Sequence, residues 1–170
     1  MVRMIDSMSV DVGLVLTSDM KASGAVRAKR RGVRVESFPQ KIADSGRTIL
    51  DWTGVDRCLT QAKITRIFLL GFMRIVPASF LEKWAGRVLN LHPSLLPLYP
   101  GLNSIERAFA AGDPVGATVH DVVPAVDAGP IILSRSANGG STLADAERLV
   151  HIEEQRMVER VLSRRARGPQ

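Results

Sequence analysis

Cysteine and histidine are scarce in this sequence. Among its 170 residues there is a single cysteine, and there are three histidines. The lone Cys58 cannot form an intrachain disulfide, so we interpret it as a small core residue. The cysteine and histidine positions also lack the spacing of a structural zinc site. These shortages favour a protein of a reducing compartment, which we take to be the cytoplasm.

Long hydrophobic runs are also missing. No apolar stretch reaches the roughly 18 residues that a membrane-spanning helix needs. The N-terminal sequence MVRMIDSMSVDVG contains neither the apolar region nor the cleavage site of a signal peptide. We therefore expect a protein that does not act at a membrane. Its length and its hydrophobic fraction of 45% suit one compact domain over residues 1–170.

The sequence carries an excess of positive charge. The formal net charge is +6 at pH 7, and the isoelectric point is about 10.2. The basic residues concentrate in two short runs, Lys29, Arg30 and Arg31 ahead of Gly32, and Arg164, Arg165 and Arg167 near the C-terminus. The first run closes a predicted helix, where cations complement the helix dipole, and the second belongs to a polar tail over about residues 164–170. We interpret both as solvated. Attraction of an anionic substrate or a nucleic acid is the alternative, although no nucleic-acid-binding motif is recognised.

Short apolar runs alternate with helical patterns along the chain. The predicted strands lie at residues 12–16, 33–39, 66–72, 87–91, 116–123 and 130–137, and the predicted helices at about residues 25–32, 48–63, 77–84, 105–112 and 142–164. The run at 66–72 has the composition of a strand buried on both faces. The run at 130–137 is expected to pair antiparallel with the one before it. This alternation predicts an α/β fold with a mostly parallel sheet and helices on both faces.

Asn90 and His92 form the first group that could carry chemistry. They flank Leu91 at the end of a predicted strand, and side chains two residues apart in a strand point to the same face. The loop HPSLLPLYPG follows, and ligands of open α/β sheets bind outside the carboxyl ends of strands. An amide donor beside an ionisable imidazole suits stabilisation of an oxyanion on a tetrahedral intermediate. The alternative is structural, with Asn90 capping the turn and His92 a hydrogen-bonded core or loop histidine.

Asp127 lies in the turn sequence VPAVDAGP. An aspartate there can build the turn by bonding to its own backbone, which is its commonest use. It can also be a buried carboxylate that faces His92 and keeps the imidazole protonated. The sequence does not decide between these two roles.

Glu154 lies on the inward stripe of the last predicted helix. The stripe follows the i, i+3, i+4 spacing of a buried helix face and consists of Leu143, Ala146, Val150, Met157 and Val161. A carboxylate on such a face needs a partner. A structural arginine and an ammonium group on a substrate are the two candidates.

The segments between Leu69 and Leu133 identify a family. The stretch LLGFMRIVPASFLEKWAGRVLNLHPSLLPLYPGL continues through IERAFAAGD, GATVH and VDAGPII. This pattern resembles phosphoribosylglycinamide formyltransferase, the folate-dependent enzyme of purine synthesis, and the match extends from about Val12 to about Val161. The LNLHPSLLP loop followed by YPGL separates it from the formyltetrahydrofolate hydrolases, whose loop typically has a second histidine where this chain has Pro93.

The resemblance implies a Rossmann-like formyltransferase domain. Its formyl donor would be 10-formyltetrahydrofolate, and its acceptor the amine of glycinamide ribonucleotide, with no metal. The family's catalytic residues fall on Asn90, His92 and Asp127. Its folate-binding residues fall on Phe72, Met73, Arg74, Ile75, Val76, Val122, Val126 and Asp127. Its acceptor side falls on Glu154, His151, Pro93 and Ser94.

The chain departs from the family pattern at its start and on the acceptor side. The family begins with a strand and a glycine-rich loop that binds the substrate phosphate, whereas residues 4–9 resemble the end of the helix that follows that loop. A sheet without that strand would expose unpaired neighbours. The resemblance therefore implies an N-terminally truncated domain, with residues 1–10 as a helix remnant. Either the coding sequence starts further upstream, or a second copy or a partner chain completes the sheet.

On the acceptor side, Asn103, Ser104 and Ile105 replace the family's H-T-H, and His151 replaces a glutamine. The loop of residues 112–116 is also about one residue shorter. These differences keep other functions open. The chain could hydrolyse formyltetrahydrofolate, formylate another amine, or bind folate without catalysis.

Overall fold

The computed structural model of the chain describes residues 11–137 and 139–165, with side chains through residue 162. The expected helix remnant at residues 1–10 and the end of the expected tail, residues 166–170, lie outside the described residues. The described backbone divides into two compact units, with the boundary between residues 65 and 66. A single domain over the whole chain stays a prediction.

The first unit combines small sheets with helices. Its elements are β1 (Val15–Thr17), α1 (Ser23–Arg30), β2 (Val35–Ser37), β3 (Gln40–Ile42), β4 (Thr48–Leu50) and α2 (Trp52–Gln61). β1 and β2 pair in parallel with α1 between them, as the alternation of strand and helix predicted. The last turn of α1 is basic, which confirms the predicted placement of the first cationic run at a helix end.

The predicted helix over residues 48–63 begins later than expected. Its first three residues form β4 instead, which pairs antiparallel with β3. The β-branched Ile49 favours extended backbone, and Gly46, with a φ of 75°, lies in the turn of this hairpin. Asp51 then caps α2, because its Oδ1 accepts a hydrogen bond from the backbone N–H of Thr53 at 3.2 Å. The helical pattern therefore applies only after this cap.

The second unit carries a four-stranded sheet. Its elements are β5 (Ile67–Leu70), α3 (Ala78–Lys83), β6 (Val88–His92), α4 (Ser104–Ala111), β7 (Gly116–Asp121), β8 (Ile131–Ser136) and α5 (Leu143–Arg165), and the strand order is β5-β6-β7-β8. These elements confirm the predicted ones to within a few residues. α4 ends at Gly112, whose φ of 72° makes the predicted glycine cap. α5 continues to Arg165, so the expected tail begins as helix.

The sheet of this unit is mixed, which corrects the expectation of a mostly parallel one. β5 and β6 are parallel, whereas β7 is antiparallel to both β6 and β8. Thr118, near the start of β7, lies opposite His92 at the end of β6. The connection of residues 93–115 therefore leaves and re-enters the sheet at the same edge. A strand-helix-strand order does not fix strand direction, and the long loop before α4 lets the chain reverse. The antiparallel pairing predicted for the last two strands is confirmed.

The core of the second unit lies between α5 and the sheet. Buried side chains of α5 form one cluster with residues of β6 and β7, and its α5 members are Ala146, Val150, Met157 and Val161. This confirms the inward stripe predicted from the spacing. Burying each of the larger side chains contributes about 1.5–3 kcal/mol, so α5 is held firmly against the strands that carry the site.

The first strand of this sheet is less enclosed than its sequence suggested. All four residues of β5 are half-buried, whereas the apolar run predicted burial on both faces. β5 is the terminal strand of the sheet in the described unit, so fewer side chains cover it. Among the described residues, no helix combines the length and the apolar character needed to cross a bilayer.

Candidate active site

The carboxyl end of β6 brings polar side chains onto one face of the sheet. Asn90 and His92 are two residues apart on this strand, so their side chains share a face, as the spacing predicted. His120 on β7 pairs directly with Asn90, and directly opposed residues of an antiparallel pair also share a face. His92 and His120 are 6% and 2% exposed. Buried polar rings need hydrogen-bond partners, so their contacts define the site.

Asp127 reaches these side chains from the loop of residues 122–130. Its φ of 49° lies in the left-handed region, which aspartate tolerates better than most residues. Its Oδ2 is 3.3 Å from His92 Nδ1, and its Oδ1 is 3.6 Å from His120 Nε2. The structure therefore places a largely buried carboxylate against His92. This is one of the two roles that the sequence left open.

Both ring nitrogens of His92 face acceptors. Nε2 lies 3.1 Å from the carbonyl oxygen of Tyr99, which can only accept a hydrogen bond. Nδ1 faces the carboxylate of Asp127, whose Oδ2 also accepts from the backbone N–H of Gly101 at 2.8 Å. A ring that donates from both nitrogens is an imidazolium. The geometry therefore suits a positive His92 held against a negative Asp127.

His120 is a site residue that sequence reasoning missed. Its Nδ1 lies 2.8 Å from the carbonyl oxygen of Asp121, so this nitrogen carries the hydrogen. In the neutral ring Nε2 is then an acceptor, and the Nδ2 atom of Asn90 lies 3.2 Å from it. This contact turns the amide nitrogen of Asn90 toward His120 and leaves its second hydrogen for a ligand. The signal lay in the segment GATVH, but only the strand register places its histidine opposite Asn90.

The loop that follows β6 is held by hydroxyl groups. Thr118 Oγ1 donates to the carbonyl oxygen of Ser94 at 2.7 Å. Ser94 Oγ donates to the carbonyl oxygen of Leu98 at 2.6 Å, and Ser104 Oγ donates to that of Pro93 at 3.1 Å. Pro93 and Ser94, expected on the acceptor side, are thus engaged in holding the loop. Their contact with a substrate stays a prediction.

Tyr99 anchors the far end of this loop. Its hydroxyl donates a hydrogen bond to the carboxylate of Asp113. That bond, together with desolvation and the charge of Asp113, raises the pKa of Tyr99 above its usual value, while the nearby Arg107 opposes the shift. The phenol therefore stays neutral and keeps its donor. The backbone of the same residue supplies the carbonyl that meets His92.

The segment expected to bind folate leaves the sheet at the same edge. Residues 72–76 follow β5, which is parallel to β6, so they start beside the strand end that carries His92. Met73 and Ile75 are 77% and 70% exposed, and Val126 is 57% exposed. Large apolar side chains that remain exposed are typical of a contact surface. Of the remaining residues expected there, Phe72 and Val122 are half-buried, Arg74 is exposed and Val76 is buried.

Glu154 finds a partner on its own helix. Its Oε2 lies 2.7 Å from Nδ1 of His151, one turn earlier on α5. The side chain of Glu154 is 17% exposed and that of His151 is 63% exposed. The partner is thus a histidine rather than the arginine considered from the sequence. A contact of Glu154 with a substrate amine stays a prediction.

Together these residues join an amide donor, an imidazole whose two nitrogens both face acceptors, and a carboxylate over one sheet face. The first two stabilise negative charge that develops on an oxygen, and the carboxylate can accept a proton from an attacking nucleophile. This combination suits transfer of an acyl or formyl group through a tetrahedral oxyanion. Within residues 11–137 and 139–165, no group of three or more His, Cys, Asp or Glu side chains is arranged to hold a metal ion.

Comparison with known proteins places the chain in a family. The formyl transferase family matches residues 4–162 of the chain. The phosphoribosylglycinamide formyltransferase of Haemophilus influenzae is 38% identical over 123 residues, which cover 72% of this chain and 57% of that protein. The human trifunctional purine biosynthetic protein adenosine-3 is 34% identical over 163 residues, which cover 94% of this chain and 16% of that protein. The chain thus spans 57% of the length of the first of these curated relatives and 16% of the length of the second.

A solved structure agrees with these sequence relatives. The crystal structure of phosphoribosylglycinamide formyltransferase from Brucella melitensis matches with a TM-score of 0.84 and 29% identity, over 99% of this chain and 88% of that one. This likeness confirms the Rossmann-like α/β fold class, here with a mixed sheet. The chain therefore belongs to the formyl transferase family, as its resemblance to the phosphoribosylglycinamide formyltransferases predicted.

Proposed function

We propose that this chain transfers a formyl group from 10-formyltetrahydrofolate to the amine of glycinamide ribonucleotide, a step of purine synthesis. The observation that carries the proposal is the ion pair between His92 Nδ1 and Asp127 Oδ2, 3.3 Å apart, beside the amide of Asn90. The names of the relatives, a phosphoribosylglycinamide formyltransferase and a purine biosynthetic protein, support this choice of reaction.

The reaction begins when the neutral amine attacks the formyl carbon. The formyl oxygen becomes anionic in the tetrahedral intermediate, and the second amide hydrogen of Asn90 donates to it. The positive charge of His92 lies on the same sheet face, and its attraction for the oxyanion is stronger in this poorly solvated site than in water. Losing one such donor typically lowers a rate by about 100–1000-fold, so the amide of Asn90 accounts for a large part of the catalysis, and His92 adds to it through its charge.

Proton transfer falls to Asp127. Attack by the amine creates a cationic nitrogen, and the carboxylate takes one of its protons through a bound water. As the C=O bond re-forms, the bond between the formyl carbon and the folate nitrogen breaks, and that nitrogen takes the proton. The products are the formylated amine and tetrahydrofolate, so atoms and charges balance.

The formyl donor fits the surface formed by the residues after β5. The exposed Met73 and Ile75, together with Val126 beside the carboxylate, offer apolar contacts for the flat pteridine ring. We expect the polar edge of that ring to bond to the backbone of residues 72–76. Residues Phe72, Arg74, Val76 and Val122 belong to the same proposed pocket. This arrangement would hold the formyl group over His92.

The acceptor is proposed to bind on the side of α5. Glu154 would accept hydrogen bonds from the attacking amine after its contact with the exposed His151 is broken. An exposed imidazole is easily displaced from such a contact. Pro93 and Ser94 would border the same space. A cytoplasmic location and association with a second copy or a partner chain also remain proposals.

The decisive test is an assay of the full chain with and without the acceptor. We expect release of tetrahydrofolate from 10-formyltetrahydrofolate only when glycinamide ribonucleotide is present. Release without the acceptor would favour a hydrolase, and release only with a different amine would favour another formyltransferase. Binding of the formyl donor without turnover under any condition would favour a non-catalytic folate-binding protein.

The role of His120 provides a separate prediction. His120→Phe keeps a ring of similar size but removes the acceptor that turns the Asn90 amide. We expect kcat to fall by about tenfold with little change in KM for the formyl donor, since a hydrogen bond of this kind is worth on the order of 1 kcal/mol. Steady-state kinetics at saturating acceptor measure this split.

The matched control is His120→Gln, whose side-chain carbonyl can still accept from Asn90. This variant should recover most of the lost kcat if His120 acts by positioning. If both variants lower kcat equally, or if the KM for the donor rises instead, His120 does not position the amide.

A further inference from the structure

The loop of residues 99–102 serves the site through backbone atoms alone. The carbonyl oxygen of Tyr99 lies 3.1 Å from His92 Nε2, and the N–H of Gly101 donates to Asp127 Oδ2 at 2.8 Å. These two contacts hold the two partners of the ion pair from one short segment. The geometry of the ion pair therefore depends on the backbone conformation of this loop.

That conformation is not one the loop adopts by itself. Tyr99 and Gly101 both have left-handed backbone, with φ values of 53° and 79°. Glycine takes up this region without strain, but a tyrosine there persists only when its surroundings hold it. The hydrogen bond from the Tyr99 hydroxyl to Asp113 fixes the side chain. Something else must hold the backbone on either side of Gly101.

Arg107 supplies that contact. Its Nη1 donates to the carbonyl oxygen of Pro100 at 2.7 Å and to that of Leu102 at 3.0 Å. One guanidinium nitrogen has two hydrogens, so both carbonyls that flank Gly101 are bound at once. The guanidinium carbon also lies 5.4 Å from the centroid of the Tyr99 ring, in range of a cation–π interaction.

The helix that carries Arg107 is a rigid support. Arg107 lies in the first turn of α4, where its N–H donates to the carbonyl of Asn103. Ile105 and Ala108, on the inner face of the helix, are 7% and 2% exposed. The arginine thus connects a helix fixed in the core to the loop that contacts the catalytic pair. Hydrogen bonds from a charged donor are stronger than neutral ones, which suits this task.

We propose that Arg107 is a positioning residue: it clamps the carbonyls of Pro100 and Leu102 so that Tyr99 and Gly101 hold His92 and Asp127 in their catalytic arrangement. This inference rests on the proposed formyl transfer for its effect on rate. Its structural part stands without any substrate, because the contacts of the loop can be measured in the free protein.

The test compares Arg107→Gln with the full wild-type chain by nuclear magnetic resonance, without substrate. We expect hydrogen exchange of the Gly101 amide to become about tenfold faster, the range expected for losing a charge-assisted hydrogen bond. We also expect the ring N–H signal of His92 to be lost from the variant. With only three histidines in the chain, these signals are readily assigned.

Kinetics provide the second readout. Arg107→Gln should lower kcat by about tenfold and leave KM for both substrates within about twofold, because a displaced ion pair affects the transition state more than binding. Arg107→Lys keeps the charge but not the planar fork, so it should lie between the wild type and Arg107→Gln. Arg107→Lys also provides the test of the proposal if Arg107→Gln does not fold.

Arg87→Gln is the matched control. Arg87 is likewise exposed. Its guanidinium carbon lies 4.5 Å from the centroid of the Trp84 ring, and its Nη2 donates to the carbonyl oxygen of Lys83 at 2.5 Å; neither contact involves the 99–102 loop. We expect normal Gly101 exchange and normal kcat in this variant. Unchanged Gly101 exchange and an unchanged His92 signal in both Arg107 variants would overturn the proposal. A rise in KM with unchanged kcat in these variants would also overturn it. A wild-type chain without transferase activity would instead contradict the proposed function, while the exchange result still decides the role of Arg107.

Discussion

Formyl transfer should be lost when His92 is replaced by alanine, with kcat falling by about a thousandfold. The substitution removes the group proposed to stabilise the oxyanion, and it leaves the buried carboxylate of Asp127 without the ring nitrogen that lies 3.3 Å from it. It also empties a ring-sized space at the end of β6. Affinity for the formyl donor should stay within a few fold, because the contacts proposed for the pteridine are made by the backbone of residues 72–76. A single-turnover assay and a direct binding titration measure the two quantities.

Binding of the donor provides the internal control for this variant. A protein that still binds 10-formyltetrahydrofolate has kept the fold of its second unit, so a lost rate then reports on chemistry. If His92→Ala keeps a near-normal rate, His92 is not catalytic and the proposed mechanism is wrong. A loss of binding together with rate would instead show that the ring mainly supports the structure.

Much of the site is predictable from the sequence because strand periodicity is simple. Side chains two residues apart on a strand share a face, and this rule alone places Asn90 and His92 together. It does not place Asp127, since the position of a loop residue depends on how the loop folds back over the sheet. It also does not find His120, whose proximity to Asn90 depends on the register between β6 and β7.

The same limit applies to the fold. Helix stripes and apolar runs predicted the elements of the second unit, because each depends on neighbours in the sequence. The direction of β7 depends instead on the path of residues 93–115, which no local pattern encodes. The sequence did not predict the β3–β4 hairpin for a related reason. The apolar spacing near Ile49 fits a helix, but pairing with β3 and the cap at Asp51 decide otherwise.

Gly129→Ala should destabilise the protein by at least about 3 kcal/mol, because it forces a side chain into backbone. A Cβ at Gly129 would lie 1.8 Å from the carbonyl oxygen of Asp121. The carbonyl oxygen of Asp121 accepts the hydrogen bond from His120 Nδ1, and the backbone N–H of Asp121 donates to the carbonyl oxygen of Pro130. The end of β7 must therefore shift, and the ring that turns the Asn90 amide must shift with it. Urea unfolding measures the loss of stability, and kcat measured below the transition reports the effect on the site.

Gly13→Ala is the matched control for this substitution. Its Cβ would lie 3.1 Å from Ile64 Cδ1, the end of a flexible side chain that can move aside, and 3.9 Å from the carbonyl oxygen of Ala62, an ordinary van der Waals distance. We expect this variant to unfold near the wild-type urea concentration, since neither glycine has the left-handed backbone that would penalise alanine by itself. Similar midpoints for Gly129→Ala and Gly13→Ala would mean that the loop of residues 122–130 does not pack against Asp121 as described. Because the same contact sets His120, a stable Gly129→Ala with full activity would also remove the support for the proposed path from this loop to the amide of Asn90.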